Sequence, residues 1–399
     1  PIQRPPQQTD AAATTAAQAA YEAHKEIVTM SAATKYVTLE GRFKMHRGGY
    51  LESPTMAYET WGELNAAKDN AILIFSGLSP SAHAASSGED PTPGWWEDMI
   101  GSGFPLDCDR YCIICVNSLG SCFGSTGPAS INPETGELYR LSFPTLTLED
   151  VGEAAYRVVR QLGIEKLHTV IGCSMGGMSG LALCVNHPDA VRNFMSISSA
   201  ARPLPFAIAV RSLQRELIRC DPKWQEGDYD IDDQPVSGQR LARKLGMMTY
   251  RSPQEWEQRF GRERTTDVGP GDERFRIEFS VESYLENHAN KFSGAFDANC
   301  YLYLSRASDL FDLAEHGGSL AAGFRRLNLE RALVIGVTTD ILFPIHQQRE
   351  LGDGISAVCD STTLIELDCI RGHDSFLVDM DAFRPIICDF LEREGQFCD

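Results

Sequence analysis

Residues 167–178 read LHTVIGCSMGGM, an apolar, β-branched run that leads into Gly172-Cys173-Ser174-Met175-Gly176-Gly177. The G-x-S-x-G spacing gains chemical meaning when a strand precedes it and a helix follows. The serine then sits on a strained corner with its hydroxyl exposed above a sheet. Glycines flank such a serine because a β-carbon there would strike the neighbouring strand and helix. Leu167 to Ile171 supply the strand, and Met178, Leu181, Leu183 and Cys184 recur at helical spacing up to Asn186-His187-Pro188. This context predicts that Ser174 is a nucleophile. A glycine-rich turn with an idle serine is the better reading only where those flanks are missing.

A nucleophilic serine needs a base, and the base needs an orienting acid. In the α/β-hydrolase arrangement the acid and then the histidine follow the serine, each just past a later strand. Ala332–Gly336 is a short buried-strand pattern whose following loop carries Asp340. Thr363–Leu367 is another, followed by Arg371-Gly372-His373-Asp374, with Gly372 relieving the backbone beside His373. The triad expected is therefore Ser174, Asp340 and His373. Asp374 is a weaker orienting acid, since sequence neighbours on a loop rarely aim at each other. Among the other histidines only His83 falls in a loop that should border the site, and there it is expected to fix the loop rather than act as base. One oxyanion donor is the backbone N–H of Met175, after the nucleophile. The second is expected from the loop after the strand Ala71–Phe75, at Leu78.

The elements that must position these groups alternate. Strand signals fall at Tyr36–Leu39, Ser53–Thr60, Ala71–Phe75, Tyr111–Val116, Leu167–Ile171 and Asn193–Ser196, with a helix at Val151–Leu162. Strands alternating with helices imply a mostly parallel sheet covered on both faces. From Pro203 to Leu327 the strand signals stop and charged helical stretches take over, at Ala207–Arg219, Gly238–Met247, Pro253–Phe260 and Val281–Ser293. Turn-rich joints such as Asp267–Asp272 link them. Strands resume at Ala332, and a helix at Met380–Glu392 closes the chain. The expected organisation is a tail over residues 1–35, disordered or weakly helical, and a catalytic α/β domain over 36–202 and 328–399. A helical lid at 203–327 interrupts that domain.

Composition bounds the function. Of 399 residues 43% are hydrophobic and 23% charged, values of an ordinary globular protein. The formal net charge of −19 and the lack of any basic stripe argue against a nucleic-acid surface, and no apolar run approaches a membrane span. Six of the twelve cysteines lie in or beside apolar segments, as buried thiols in a reducing compartment would. The tail begins with proline and is rich in Pro, Gln, Ala and Thr, so a removed targeting segment is one expectation. The protein is expected to be intracellular, cytoplasmic or mitochondrial.

Seven stretches in order bear a family likeness: PGWWEDMIGSG (93–103), DCDRYCIICVNSLGSCFGSTGP (107–128), INPETGELY (131–139), GCSMGGM (172–178), DPKWQEGDY (221–229), FDANCYLYL (296–304) and GHDSFL (372–377). Through them the chain resembles the MetX-type homoserine and serine O-acyltransferases of the α/β-hydrolase superfamily, from about Val37 to Leu391. The resemblance implies the triad Ser174, Asp340 and His373 and the oxyanion donors Leu78 and Met175. It also implies that Arg215 and Tyr229 of the lid hold the amino acid's carboxylate, and that Asp374 meets its ammonium. A zwitterion does need a guanidinium at one end and a carboxylate at the other.

Departures from the homoserine-acetylating pattern bear on the acceptor. Those enzymes commonly carry T-G-D-x-H where this chain has Ser79-Pro80-Ser81-Ala82-His83, and N-E where it has Arg211-Ser212. Gly77–Ser87 looks more like the serine-acylating branch, including fungal serine O-acetyltransferases. The resemblance thus implies ping-pong acetyl transfer from acetyl-CoA to L-serine, giving O-acetyl-L-serine for cysteine synthesis. It implies no metal or tightly bound cofactor, no nucleic-acid or membrane partner, and a homodimer joined through the lids. The alternatives are a homoserine acceptor, a succinyl donor, an esterase or, more remotely, an inactive binding protein.

Overall fold

The computed structural model describes residues 30–265 and 274–392. The tail expected over 1–35 lies outside the described residues up to position 29, as does the whole of the turn Asp267–Asp272.

Eight strands form one sheet: β1 (Lys35–Thr38), β2 (Thr55–Trp61), β3 (Ala71–Phe75), β4 (Cys112–Val116), β5 (Leu167–Cys173), β6 (Val191–Ile197), β7 (Arg331–Val337) and β8 (Thr362–Leu367). Their spatial order is β1-β2-β4-β3-β5-β6-β7-β8. Only β2 runs antiparallel to its neighbours; every other pairing is parallel. β3, β4 and β5 are buried along their whole length. Continuous apolar runs such as AILIF and CIICV therefore form strands here: both faces of a parallel sheet are covered, so alternation is not needed. This is the α/β-hydrolase fold.

Two apolar layers cover the sheet. On one face pack α1 (Leu148–Gln161), α2 (Met175–Asn186) and a later helix (Ile345–Ser356). On the other pack Trp96, Met99 and Ile100 together with Phe383, Ile387, Phe390 and Leu391 of the C-terminal helix (Met380–Glu392). α1 begins at a reciprocal capping box between Thr147 and Asp150, which satisfies orphan amides of its first turn. No helix among the described residues is long and apolar enough to cross a membrane.

Between β6 and β7 the chain leaves the sheet and runs through α3 (Pro205–Arg219), α4 (Val236–Tyr250), α5 (Pro253–Phe260), α6 (Ser280–Phe292), α7 (Ala298–Leu310) and the short α8 (Leu320–Phe324). α3 and α4 pack along each other, and α7 packs beneath α3. α7 carries no clear apolar period in its sequence because nine of its thirteen residues are buried around the helix.

The switch in strand order positions the chemistry. From β3 the chain goes to β4 on one side, and from β4 it crosses back to β5 on the other. The carboxyl ends of β3 and β5 therefore lie side by side, with Phe75 opposite Gly172. Loops diverging from such a point leave a crevice.

Candidate active site

Ser174 occupies the corner between β5 and α2 with φ 56° and ψ −121°, a left-handed backbone that a non-glycine residue adopts only under constraint. The constraint is visible on both sides. A β-carbon on Gly172 would stand 2.2 Å from the Gly176 carbonyl oxygen, and one on Gly176 would stand 2.2 Å from that of Phe75. The glycines thus let α2 start hard against β3 and β5. Ser174 N–H donates to the Ile197 carbonyl at 2.9 Å, tying the corner to β6.

His373 Nε2 lies 2.8 Å from Ser174 Oγ, and its Nδ1 lies 2.7 Å from Asp340 Oδ2. The other oxygen of Asp340 accepts from the backbone N–H groups of Leu342 and Phe343 at 2.8 and 2.9 Å, so the carboxylate cannot turn away. His373 is buried among the rings of Tyr250, Phe343 and Phe376. That burial lowers its pKa, but the Asp340 charge and hydrogen bond outweigh it, so the imidazole lies above its ordinary value. Gly372 adopts φ +71°, and a side chain there would press on Ser252 and Arg251, where the lid meets the histidine loop. The three side chains can pass a proton from the serine hydroxyl to the imidazole and hold the imidazolium.

Above them lies a cavity of about 130 Å³ lined by both oxyanion candidates, Leu78 and Met175, with Ser174, His373 and Asp374. Met175 opens α2, so its amide is one of the helix's unpaired N–H groups. Asp374 also approaches Arg251 at 3.5 Å, and burial pushes its carboxyl above the usual range.

Two sequence expectations need correction. Arg215 and Tyr229 do not reach this cavity. Arg215 donates to Ser305 Oγ at 2.9 Å, pairs with Asp309 at 2.6 Å and faces a separate groove. Tyr229 is buried, donating to Asp297 Oδ2 at 2.7 Å and accepting from the Asn299 N–H at 2.8 Å. The lid groups that line the cavity include Arg211 and Gln214 of α3, Arg243 and Tyr250 of α4, and Tyr301 of α7. Four residues make slightly more than one helical turn, so Arg211 and Arg215 share the Asp309 carboxylate while only Arg211 faces the serine. Arg211 Nη2 is buried with no hydrogen-bond partner, and Arg243 has no carboxylate within ion-pairing distance among the described residues. The only signal in the sequence was the Arg211-Ser212 departure; nothing in the charged stretch Gly238–Met247 marked Arg243 as inward-facing. No cluster of three or more His, Cys, Asp or Glu able to hold a metal occurs among the described residues.

Comparison with known proteins agrees with this geometry. The family profile described as "alpha/beta hydrolase fold" matches residues 70–379. The chain is 54% identical over 367 residues to a serine O-succinyltransferase of Litchfieldella anticariensis, covering 92% of this chain and all of that protein. It is 55% identical over 363 residues to an L-serine/homoserine O-acetyltransferase of Streptomyces lavendulae, covering 90% and 97%. Among solved structures, the homoserine O-acetyltransferase from Bacillus anthracis superposes with a TM-score of 0.83 at 28% identity, covering 91% of this chain and 99% of that one.

Proposed function

The chain belongs to the serine and homoserine O-acyltransferases of the α/β-hydrolase superfamily, and from that premise we propose that it transfers the succinyl group of succinyl-CoA to the hydroxyl of L-serine. The observation that carries the donor is the charge set of the cavity. It holds two guanidinium groups, Arg211 and Arg243, and one carboxylate, Asp374, besides the triad. A succinylated Ser174 with serine beside it presents two carboxylates and one ammonium. Arg211 is already ion-paired with Asp309 through Nε, but its buried Nη2 has no hydrogen-bond partner, and an acetyl donor would leave that donor unsatisfied. The similarity to a serine O-succinyltransferase supports the same choice, so the acetyl donor expected from the sequence becomes the second reading, favoured by the Streptomyces relative.

In this reading His373 takes the Ser174 proton as Oγ attacks the thioester carbonyl. The Leu78 and Met175 amides receive the oxyanion, and His373 returns the proton to the departing thiolate of CoA. L-Serine then enters with its carboxylate on Arg243 and the Tyr250 hydroxyl and its ammonium on Asp374. His373 deprotonates the substrate hydroxyl, which attacks the acyl-enzyme ester, and the proton passes back to Ser174 as the product ester leaves. The succinyl carboxylate rests on Arg211 Nη2 throughout. The lid excludes water, which would otherwise hydrolyse the intermediate.

The test is thiol release from succinyl-CoA and acetyl-CoA with L-serine, L-homoserine or no acceptor, alongside mass detection of acyl-Ser174. Arg211→Leu should lower kcat/KM for succinyl-CoA by about 10–100-fold, the value of one to two charge-assisted hydrogen bonds, and leave acetyl-CoA use nearly unchanged. An equal loss with both donors would refute the donor assignment. The apolar side chains that α3 and α4 leave exposed, Phe206, Leu213, Leu241 and Met248, support pairing of two copies through their lids.

A further inference from the structure

Gly77–Pro80 wall the cavity and include the Leu78 oxyanion donor, yet they stand in a segment, residues 76–96, without helix or strand. Side chains hold it instead. Trp95 Nε1 donates to the Ser81 carbonyl at 3.1 Å, and Trp61 Nε1 donates to that of Ser86 at 3.1 Å. Glu97 accepts from the Ser86 and Gly94 amides at 2.7 and 2.8 Å. At the base of the loop, the Ala84 carbonyl accepts from Trp96 N–H at 2.7 Å, and Trp96 Nε1 donates to the Phe376 carbonyl beside the catalytic histidine.

His83 is a further tie and differs in kind. Its Nδ1 lies 2.9 Å from Oε2 of Glu59, a β2 carboxylate that is 1% exposed and whose other oxygen accepts from Thr34 Oγ1 at 2.8 Å. Its Nε2 lies 2.9 Å from the Thr92 carbonyl oxygen and 3.3 Å from Thr92 Oγ1, whose hydrogen is committed to Asp90 Oδ1 at 2.6 Å. Both ring nitrogens therefore face acceptors. A neutral imidazole has a single N–H and would turn a lone pair on one of them. Doubly protonated, the ring satisfies both contacts and neutralises the buried Glu59 carboxylate.

We propose that His83 is held as an imidazolium and, with Glu59, forms a clasp that positions Gly77–Pro80 for oxyanion binding and acceptor fit from outside the cavity. His83 is thus a positioning residue for the reaction read above. Burial opposes its charge, but the hydrogen bonds to Glu59 and the Thr92 carbonyl outweigh it and raise its pKa above 6.5. The other charged groups facing it, Asp90 and Glu97, are both acidic and favour the cation. With a raised pKa the clasp is complete below pH 6.5 and is lost as pH rises through the folded value. His373 acts in the opposite sense, failing on the acid side.

The proposal rests on the acyltransferase reading only for its kinetic readouts. Nitrogen NMR of the histidine-labelled full chain tests it without them. One imidazole should carry two protons at pH 6, titrate above 6.5 and vanish in His83→Gln. A His83 ring that titrates at or below 6.5 overturns the proposal. In kinetics, His83→Ala should slow acyl-Ser174 formation about 10-fold or more, the scale of a displaced oxyanion donor, and change the serine-to-homoserine ratio of kcat/KM. Unchanged acylation per titrated active site would reduce His83 to a fold-stabilising role. Glu59→Gln separates charge from position. Its amide N–H can donate to Nδ1 of a neutral His83 whose Nε2–H still meets Thr92. That variant should keep fast acylation and lose the alkaline fall in rate. A folded Glu59→Gln protein that acylates as poorly as His83→Ala contradicts the clasp. If the wild-type chain shows no acyl transfer at all, the functional reading fails, and the NMR result still decides the clasp.

Discussion

At the scale of residues, reactivity comes from groups whose freedom has been removed. Asp340 is pinned by two amides and His373 by three aromatic rings, so the imidazole has one orientation toward Ser174. Asp340→Asn should keep the fold but present His373 in the wrong tautomer, lowering kcat by about 10⁴-fold, measured in the steady state with either donor. A loss under tenfold would show that the carboxylate is not the orienting acid. The same reasoning explains the errors of residue choice in the lid. Arg211 and Arg215 are of one type on one helix, and only the fold turns the former toward the serine and the latter toward Ser305.

At the scale of elements, the corner between β5 and α2 depends on absent side chains. Gly176→Ala would place a methyl against the Phe75 carbonyl, which belongs to β3 and leads directly into the oxyanion loop. Backbone must shift, so thermal or urea unfolding should show a loss of about 3 kcal/mol or more. The shifted β3 end should also slow acylation in whatever protein remains folded. A variant of wild-type stability would mean that α2 can move away without cost. The lid helices are held by a different principle: α3 and α4 bury one side against the cavity and each other and leave Leu213, Leu241 and Met248 facing out. Leu241→Glu with Met248→Glu should abolish a lid-to-lid dimer, read by light scattering, without unfolding the monomer.

At the scale of the whole molecule, pH response follows from how the sheet and lid enclose the triad. His373 must be neutral to accept the Ser174 proton, and its pKa is raised, so kcat/KM should fall as pH drops, with a half-maximal point above 6.5. Asp340→Ala should move that point downward, because burial alone lowers the value. A wild-type midpoint at or below 6.5 would show that water reaches the imidazole and screens the carboxylate. Every described cysteine is a free thiol, most of them buried, so packing rather than cross-linking carries the fold.

The local pattern of the chain was sufficient for the elbow, the strand order of its motifs and the acid–histidine sequence. Strands announce themselves by short apolar runs, and a glycine-flanked serine between strand and helix has few other uses. The six strand segments read from the first half of the chain fall within about two residues of the observed ones, and Pro253–Phe260 coincides with α5. What the chain alone did not reveal was inward direction within the insertion. Helical charge patterns show which residues share a face but not which face meets the serine, since that depends on how α3, α4 and α7 stack. Arg243 and Tyr250 were therefore legible only in three dimensions, as was the His83–Glu59 pair, whose members lie 24 positions apart and meet because β2 runs beside the loop's return.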